Sequence, residues 1–390
     1  MTRTGGTRAA VRPGVVLLGI LALAVNLRAA LAGYPPLLET VRVDLGLSAG
    51  VAGLVQAGAV LMMAAGSFAG PALARHGGRE RALGVAVGLV AAGSLVRGVP
   101  AVAALIAGSL LVGLGIGLAG VLITGVVKEH LAQRAGAATG GYVVAMMVGA
   151  TVSSAVAVPL ATLLGGWSWS LAVWAVPAAL ATAVWTPIAR RIPAANPVRT
   201  PLPWHRRTAR LAACYQAGTS LMFYGWLTWL SPYYEGHGFP PERAGLLLAV
   251  WSIAQIPAAL FVPALAERRR KWRFWTGLTL LCGLAGTVGA LLVPLPPVVG
   301  PWLWAALMGV GVGAGFPLGL SAIAWRSPDA HTAAATSGLA LGVGYTAAGL
   351  GPLLMGVLID VSGGYALAIG LLAVAGLVQG WAIFAIGDPD

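Results

Sequence analysis

PGVVLLGILALAVNLRAALAGYPPLL, residues 13–38, sets the fold class. The run is long enough to cross a bilayer as a helix, which takes about 20 mostly apolar residues, yet Asn26 and Arg28 lie in its interior. An ionised guanidinium at the centre of a membrane helix costs roughly 2.5–3.5 kcal/mol on translocon-based scales, so it persists where the protein uses it. All eleven acidic residues of the chain, from Glu39 to Asp390, fall in loops or near the ends of apolar runs. Arg28 therefore has no counter-ion at its own depth. Either the missing counter-ion is the substrate, or Arg28 is a structural anchor bonded to backbone carbonyls and water.

The rest of the chain extends this pattern. With 58% hydrophobic and 9% charged residues and a mean hydropathy of +0.86, it is no soluble globule, in which about a quarter of residues are charged. Cut at charged and Pro/Gly-rich breaks, the sequence predicts twelve spans, near 13–38, 49–74, 82–99, 101–127, 136–162, 167–189, 211–234, 243–266, 274–293, 301–325, 333–358 and 364–386. The expected fold is an all-α membrane protein in contact with the lipid bilayer.

A net charge of +13 raises the possibility of nucleic-acid binding, which the distribution of charge excludes. The basic residues gather in alternate connections, and only Arg42, Arg97 and Arg243 are left for the other side. This is the positive-inside bias, with both termini cytoplasmic. Cys214 and Cys282 stand alone in separate runs, so neither a disulfide framework nor a metal motif is expected, and no cofactor. Residues 1–32 imitate a signal peptide ending at Ala30-Leu31-Ala32, but Asn26 and Arg28 interrupt its core, and cleavage would invert the charge bias of every later loop. The Arg-over-Lys and Ala/Gly/Val bias suggests a bacterial plasma (inner) membrane.

The Pro- and Arg-rich stretch 190–210 divides the chain into halves of six spans each, 1–189 and 211–390. An internal repeat at an offset of 192 to 198 residues supports the division. Pro36 and Glu39 match Pro232 and Glu235, Gly53-Leu54 matches Gly245-Leu246, and Pro71 matches Pro263. Gly113, Gly115 and Gly117 then match Gly311, Gly313 and Gly315, and Thr139 with Gly141 matches Thr336 with Gly338. Gly115-Ile116-Gly117-Leu118-Ala119-Gly120 satisfies the dinucleotide pattern G-x-G-x-x-G, but it lies inside an apolar span with no strand or turn before it. Close helix packing through small residues is the expectation there.

The loop from Gly70 through Arg75, Gly77 and Arg79 to Arg81 resembles the glycine-and-arginine latch between helices two and three of the major facilitator superfamily, departing from it at Ala74, where an Asp is usual. A plain positive-inside loop is the alternative. Asn26-Leu27-Arg28, Pro36-Leu37-Leu38, Gly46-Leu47-Ser48, Ser94-Leu95-Val96-Arg97, Trp229-Leu230, Gln255-Ile256-Pro257-Ala258, Gly351-Pro352-Leu353-Leu354 and Asp360 resemble the cyanate and 2-nitroimidazole porter family (CynX/NimT type) of that superfamily over nearly the whole chain. The resemblance implies twelve helices in two pseudo-symmetric halves, no enzymatic activity, and transport of a small anionic or polar solute, by a chain expected to act as a monomer.

Counting inward from the span ends at about 1.5 Å per residue puts Arg28, Tyr224, Gln255 and Tyr345 near one depth, on the first, seventh, eighth and eleventh spans. Trp251 lies one turn from Gln255, and Tyr142 one turn from Met146, so each pair shares a helix face. Arg28 is the expected anion ligand, since its planar fork suits bidentate hydrogen bonds. Tyr224, Tyr345 and Gln255 would orient the solute and Trp251 would form a wall, unless these side chains simply pack between helices. Asn26, about 200° round the helix from Arg28, is expected to bond to a neighbouring helix. Arg97 is expected to snorkel to the interface. An exporter of small drugs such as nitroimidazoles is the competing function.

Overall fold

The structure, a computed structural model, describes residues 13–131, 135–191, 203–326 and 330–387. Most of the expected 190–210 linker lies outside the described residues. The described chain is helical: α1 (Pro13–Ala32), α2 (Leu38–Leu45), α3 (Ala49–Gly77), α4 (Arg79–Val96), α5 (Val102–His130), α6 (Ala135–Leu164), α7 (Trp167–Ala172), α8 (Ala175–Arg191), α9 (Arg207–Glu235), α10 (Pro241–Arg269), α11 (Trp272–Leu292), α12 (Trp302–Arg326), α13 (Ala330–Ser362) and α14 (Ala366–Ile386). Two expected spans are broken. The first ends at Ala32, because Pro35 and Pro36 have no N–H to continue the ladder, and a 3₁₀ turn, Pro35–Leu37, leads into the short α2. The sixth splits into α7 and α8, and Pro177 falls in the first turn of α8, where a missing N–H costs nothing.

Ten segments of the described chain are long and apolar enough to cross a membrane, with α1 and α2 counted as one and α7 and α8 as one. α4 falls short because it opens on Arg79-Glu80-Arg81. α9 falls short because it is polar and aromatic, and it can be so because most of its length is buried against protein. The long helices form two six-helix bundles with one pairing scheme. In the first, α1 packs on α6 and α8, α3 on α5, and α4 on α5 and α8. In the second, α9 packs on α13 and α14, α10 on α12, and α11 on α12 and α14. The bundles meet along α3 with α13 and α6 with α10.

Glycines set these distances. A methyl group at Gly113 or Gly117 of α5 would overlap the backbone of Ala59 or Met63 on α3, and one at Gly115 would meet Ala86 on α4. On α12 the glycines that make the corresponding contacts are Gly309 and Gly313, against Trp251 and Gln255 of α10, and Gly311, against Gly283 of α11. The structural offset is therefore 196. The sequence match of Gly113 to Gly311 was two residues out of register, because glycines spaced by two match as well after a two-residue slip.

At the face opposite the basic loops the bundles are tied by one carboxylate. Asp360, near the end of α13, accepts hydrogen bonds from the Ala49 N–H at 2.9 Å and the Gly50 N–H at 2.6 Å, the free donors at the start of α3. Gly53 lies against the Pro352 carbonyl and Gly356 against that of Ala49, so the two backbones touch below the carboxylate. Gly245 of α10 closes the other seam against the Ser154 carbonyl of α6.

The same face carries Glu235, whose Oε1 is buried without a hydrogen-bond partner. Burial first, and then the charges of Glu39 and Glu242, push this carboxyl up to about 7. Arg42 does not relieve it, being paired with Glu39 at 2.8 Å. Because the folded-state value lies above the ordinary carboxylate range, the folded protein holds this proton the more tightly. Its contribution to stability is complete below about pH 4.5 and is lost as pH rises to about 7. Glu235→Gln is expected to raise stability at pH 8 by about 1–2 kcal/mol after solvent screening, with little change at pH 4.5. Melting curves of the two proteins at both pH values check this.

Arg97 does not snorkel. It is 2% exposed, and its Nη1 donates to the Ala30 carbonyl at 2.7 Å. Its depth follows from α4 ending at Val96 beside the terminus of α1, where the Ala30 carbonyl is among the last of the helix and is open to an outside donor. A cation is favoured at a helix C-terminus.

Candidate functional site

Arg28 is held by three contacts on its own helix. Gly149 of α6 admits the Val25 carbonyl, Ser153 Oγ donates to the Ala29 carbonyl at 2.7 Å, and Arg97 grips Ala30. The guanidinium projects toward α9. Its Cζ lies 4.7 Å from the centre of the Phe223 ring and 5.9 Å from that of Tyr224, a cation–π arrangement that stabilises the charge without neutralising it. Among the described residues no carboxylate lies within ion-pairing distance of Arg28, and its Nε is buried without a hydrogen-bond partner.

The guanidinium faces a small cavity between the bundles. Arg28, Leu31 and Ala32 of α1 line it, with Met147 and Ala150 of α6, Phe223 and Leu227 of α9, and Trp251, Ser252 and Gln255 of α10. Each helix contributes residues three or four apart, the spacing that shares a face. The cavity measures about 10 Å³, room for about one water. Four polar atoms of its lining residues are buried and unpartnered: Arg28 Nε, Trp251 Nε1, Ser252 Oγ and Gln255 Oε1. A buried polar atom without a partner costs about 1–3 kcal/mol. Four on the residues lining one cavity leave hydrogen-bonding capacity open there.

α12 supports the α10 wall from behind. Gly309 and Gly313 press on the backbone of Trp251 and Gln255, and the Trp251 ring packs on Phe223 at 5.0 Å.

Of the residues singled out in the sequence, Arg28, Trp251 and Gln255 line the cavity. Tyr224 stands behind Phe223, its hydroxyl 3.8 Å from Met63 Sδ on α3. Tyr345 on α13 lies within electrostatic range of Arg28, Tyr224 and Tyr142, so these tyrosines flank the site without lining the cavity. Met147 lines it in place of Met146, one residue or about 100° further round. Asn26 Nδ2 donates to the Ala22 carbonyl at 2.8 Å on its own helix, so the bond to another helix does not form. Ser252 and Phe223 were missed, although Ser252, three residues before Gln255, lies on the face already chosen. In the loop that resembles the latch, Gly70 lies near Leu118 and Val121 of α5, Arg75 and Gly77 belong to the last turn of α3, and Arg79 opens α4. Beside it, Glu80 Oε1 pairs with His130 Nε2 at 2.9 Å.

A sequence profile described as Major Facilitator Superfamily matches residues 16–308. The chain belongs to that superfamily. The 2-nitroimidazole transporter of Escherichia coli is 32% identical over 377 residues, 95% of this chain and 94% of that one. The cyanate transport protein CynX of the same organism is 31% identical over 374 residues, 93% and 95%. The uncharacterized transporter YycB of Bacillus subtilis is 31% identical over 376, 94% and 91%. Among solved structures, a bacterial homolog of the lysosomal transporter Spinster, inward-facing and occupied, superposes with a TM-score of 0.78 at 16% identity, covering 97% of both chains. The D-xylose-proton symporter gives 0.73 at 14%, covering 96% and 97%. These two show a shared fold. The chain is a multi-pass membrane transporter of a small molecule and not an enzyme. Its cavity lies between the two halves, where superfamily members bind near the midplane and rock by alternating access.

Proposed function

We propose that this transporter moves a small anionic solute, of the size of cyanate or a short carboxylate, across the bacterial plasma membrane, with Arg28 as the counter-charge that closes the halves on it. The observation that carries this reading is Arg28 with no carboxylate partner among the described residues, lining a cavity with three further residues that hold unpartnered polar atoms. The names of two relatives, a cyanate and a 2-nitroimidazole transporter, agree with a compact polar solute. The chain acts as a monomer with both termini in the cytoplasm, and the loop at Gly70, Arg75, Gly77 and Arg79 serves as a latch on that side.

Energetics constrain direction. A monoanion moving inward as the only charge works against roughly 2.3 kcal/mol per 100 mV, so uptake needs an inward solute gradient that exceeds this, and export is downhill.

A second reading, export of small nitroaromatics, is favoured by the Phe223 and Trp251 walls. A melting panel separates the two. Ligand at about 100 times its dissociation constant adds roughly 2.7 kcal/mol of stability. Cyanate and small carboxylates are expected to raise the melting temperature of wild type and not of Arg28→Gln. Equal shifts in both proteins by neutral aromatics, and none by anions, select the exporter.

A further inference from the structure

The acceptor in the cavity says more about the solute than the donors do. Arg28 Nε, Trp251 Nε1 and Ser252 Oγ can all donate, and any anion satisfies them. Gln255 is different. Its Nε2 donates to the Trp251 carbonyl at 3.2 Å, and that bond fixes the amide: the carbonyl has no hydrogen to offer, so the NH₂ must face it. Oε1 is then the free edge of a residue that lines the cavity, buried and unpartnered. An amide oxygen only accepts. A bare anion such as nitrate would set its own lone pairs against Oε1, whereas a solute with an O–H or N–H of its own would satisfy both edges of the site at once.

Building on the anion reading above, we infer that the solute carries a hydrogen-bond donor opposite its acceptor edge and that Gln255 selects for it. The favoured class is a small planar molecule of this kind, such as a bicarbonate- or carbamate-type monoanion or an azole retaining its N–H. Arg28 recognises charge and Gln255 recognises protonation pattern. Discrimination of this sort is steep, because a site built to bond a donor is left with an unpaired group by an analogue lacking it.

Matched pairs test this on the purified full chain. Bicarbonate and nitrate are planar monoanions of similar size, and only bicarbonate carries an O–H; 2-nitroimidazole and 1-methyl-2-nitroimidazole differ at one N–H. Dissociation constants from melting titrations of wild type are expected to favour the donor-bearing member of each pair by at least about tenfold. Gln255→Leu collapses both ratios, and Arg28→Gln weakens both anions without equalising them. If that leucine variant does not fold, the wild-type ratios decide alone. Nitrate binding as tightly as bicarbonate, with both lost in Arg28→Gln, overturns the donor requirement and leaves the anion reading standing. If neither anion binds, the anion reading fails and the azole pair alone decides the donor requirement. No binding by any of the four overturns both.

Discussion

Gly117→Val is expected to abolish accumulation of folded transporter, while Gly120→Val three residues on leaves yield and melting temperature unchanged. The two glycines belong to one motif-like string, but their surroundings are opposite. A side chain at Gly117 would overlap the Met63 backbone on α3, whereas none of the described residues lies within 4 Å of a methyl group at Gly120. Backbone cannot rotate out of the way as a side chain can, so α5 and α3 would have to separate along their whole contact. That exceeds the 1–3 kcal/mol usual for overpacking, and a loss above about 3 kcal/mol is expected. Size-exclusion profiles of detergent-solubilised variants read the effect directly. Equal tolerance at both positions would mean that close packing does not hold this bundle together.

Asp360→Ala is expected to loosen the face opposite the basic loops. The carboxylate joins the two bundles by charge-assisted bonds to Ala49 and Gly50, at the positive end of α3. Because the bonds are partly exposed, their loss is worth about 1–2 kcal/mol, or about a tenfold shift between closed and open populations at this seam. Gly53 and Gly356 keep the backbones in contact, so the variant still folds. Spin labels on α3 and α13 at this end should report a longer-distance population in Asp360→Ala that wild type lacks. An unchanged distribution would assign closure to the glycine crossings alone.

Part of the cavity lining could be read from the sequence because depth in a membrane can be counted along a helix. Arg28, Trp251 and Gln255 meet at one cavity as their positions within the spans predict. What could not be read is rotation. Met146 and Met147 differ by about 100° of azimuth, and only the packing of α6 on α1, set by Gly149, shows that Met147 faces inward. Ser252 was hidden between two more conspicuous neighbours, and Phe223 beside Tyr224, for the same reason. Asn26 returned to its own helix because a short amide reaches the Ala22 carbonyl without a partner. The burial of Arg97 depends on where α4 stops relative to α1, which no count within one span reveals. The break of the first span was present in Pro35-Pro36, whose missing N–H groups end the ladder whatever the hydropathy.

Under the proposed function, solute crosses as an anion balanced by Arg28. Current across proteoliposomes on a solid-supported membrane tests it most directly. A jump in bicarbonate concentration on wild-type vesicles held at zero membrane potential should give a transient current with the sign of negative charge entering, reduced at least about tenfold in Arg28→Gln, since a 1.4 kcal/mol loss at the charge is already tenfold. Arg28→Lys should retain part of it, because the charge survives without the planar fork. Solute flux without current, unchanged in Arg28→Gln, would contradict the account and make Arg28 a structural anchor.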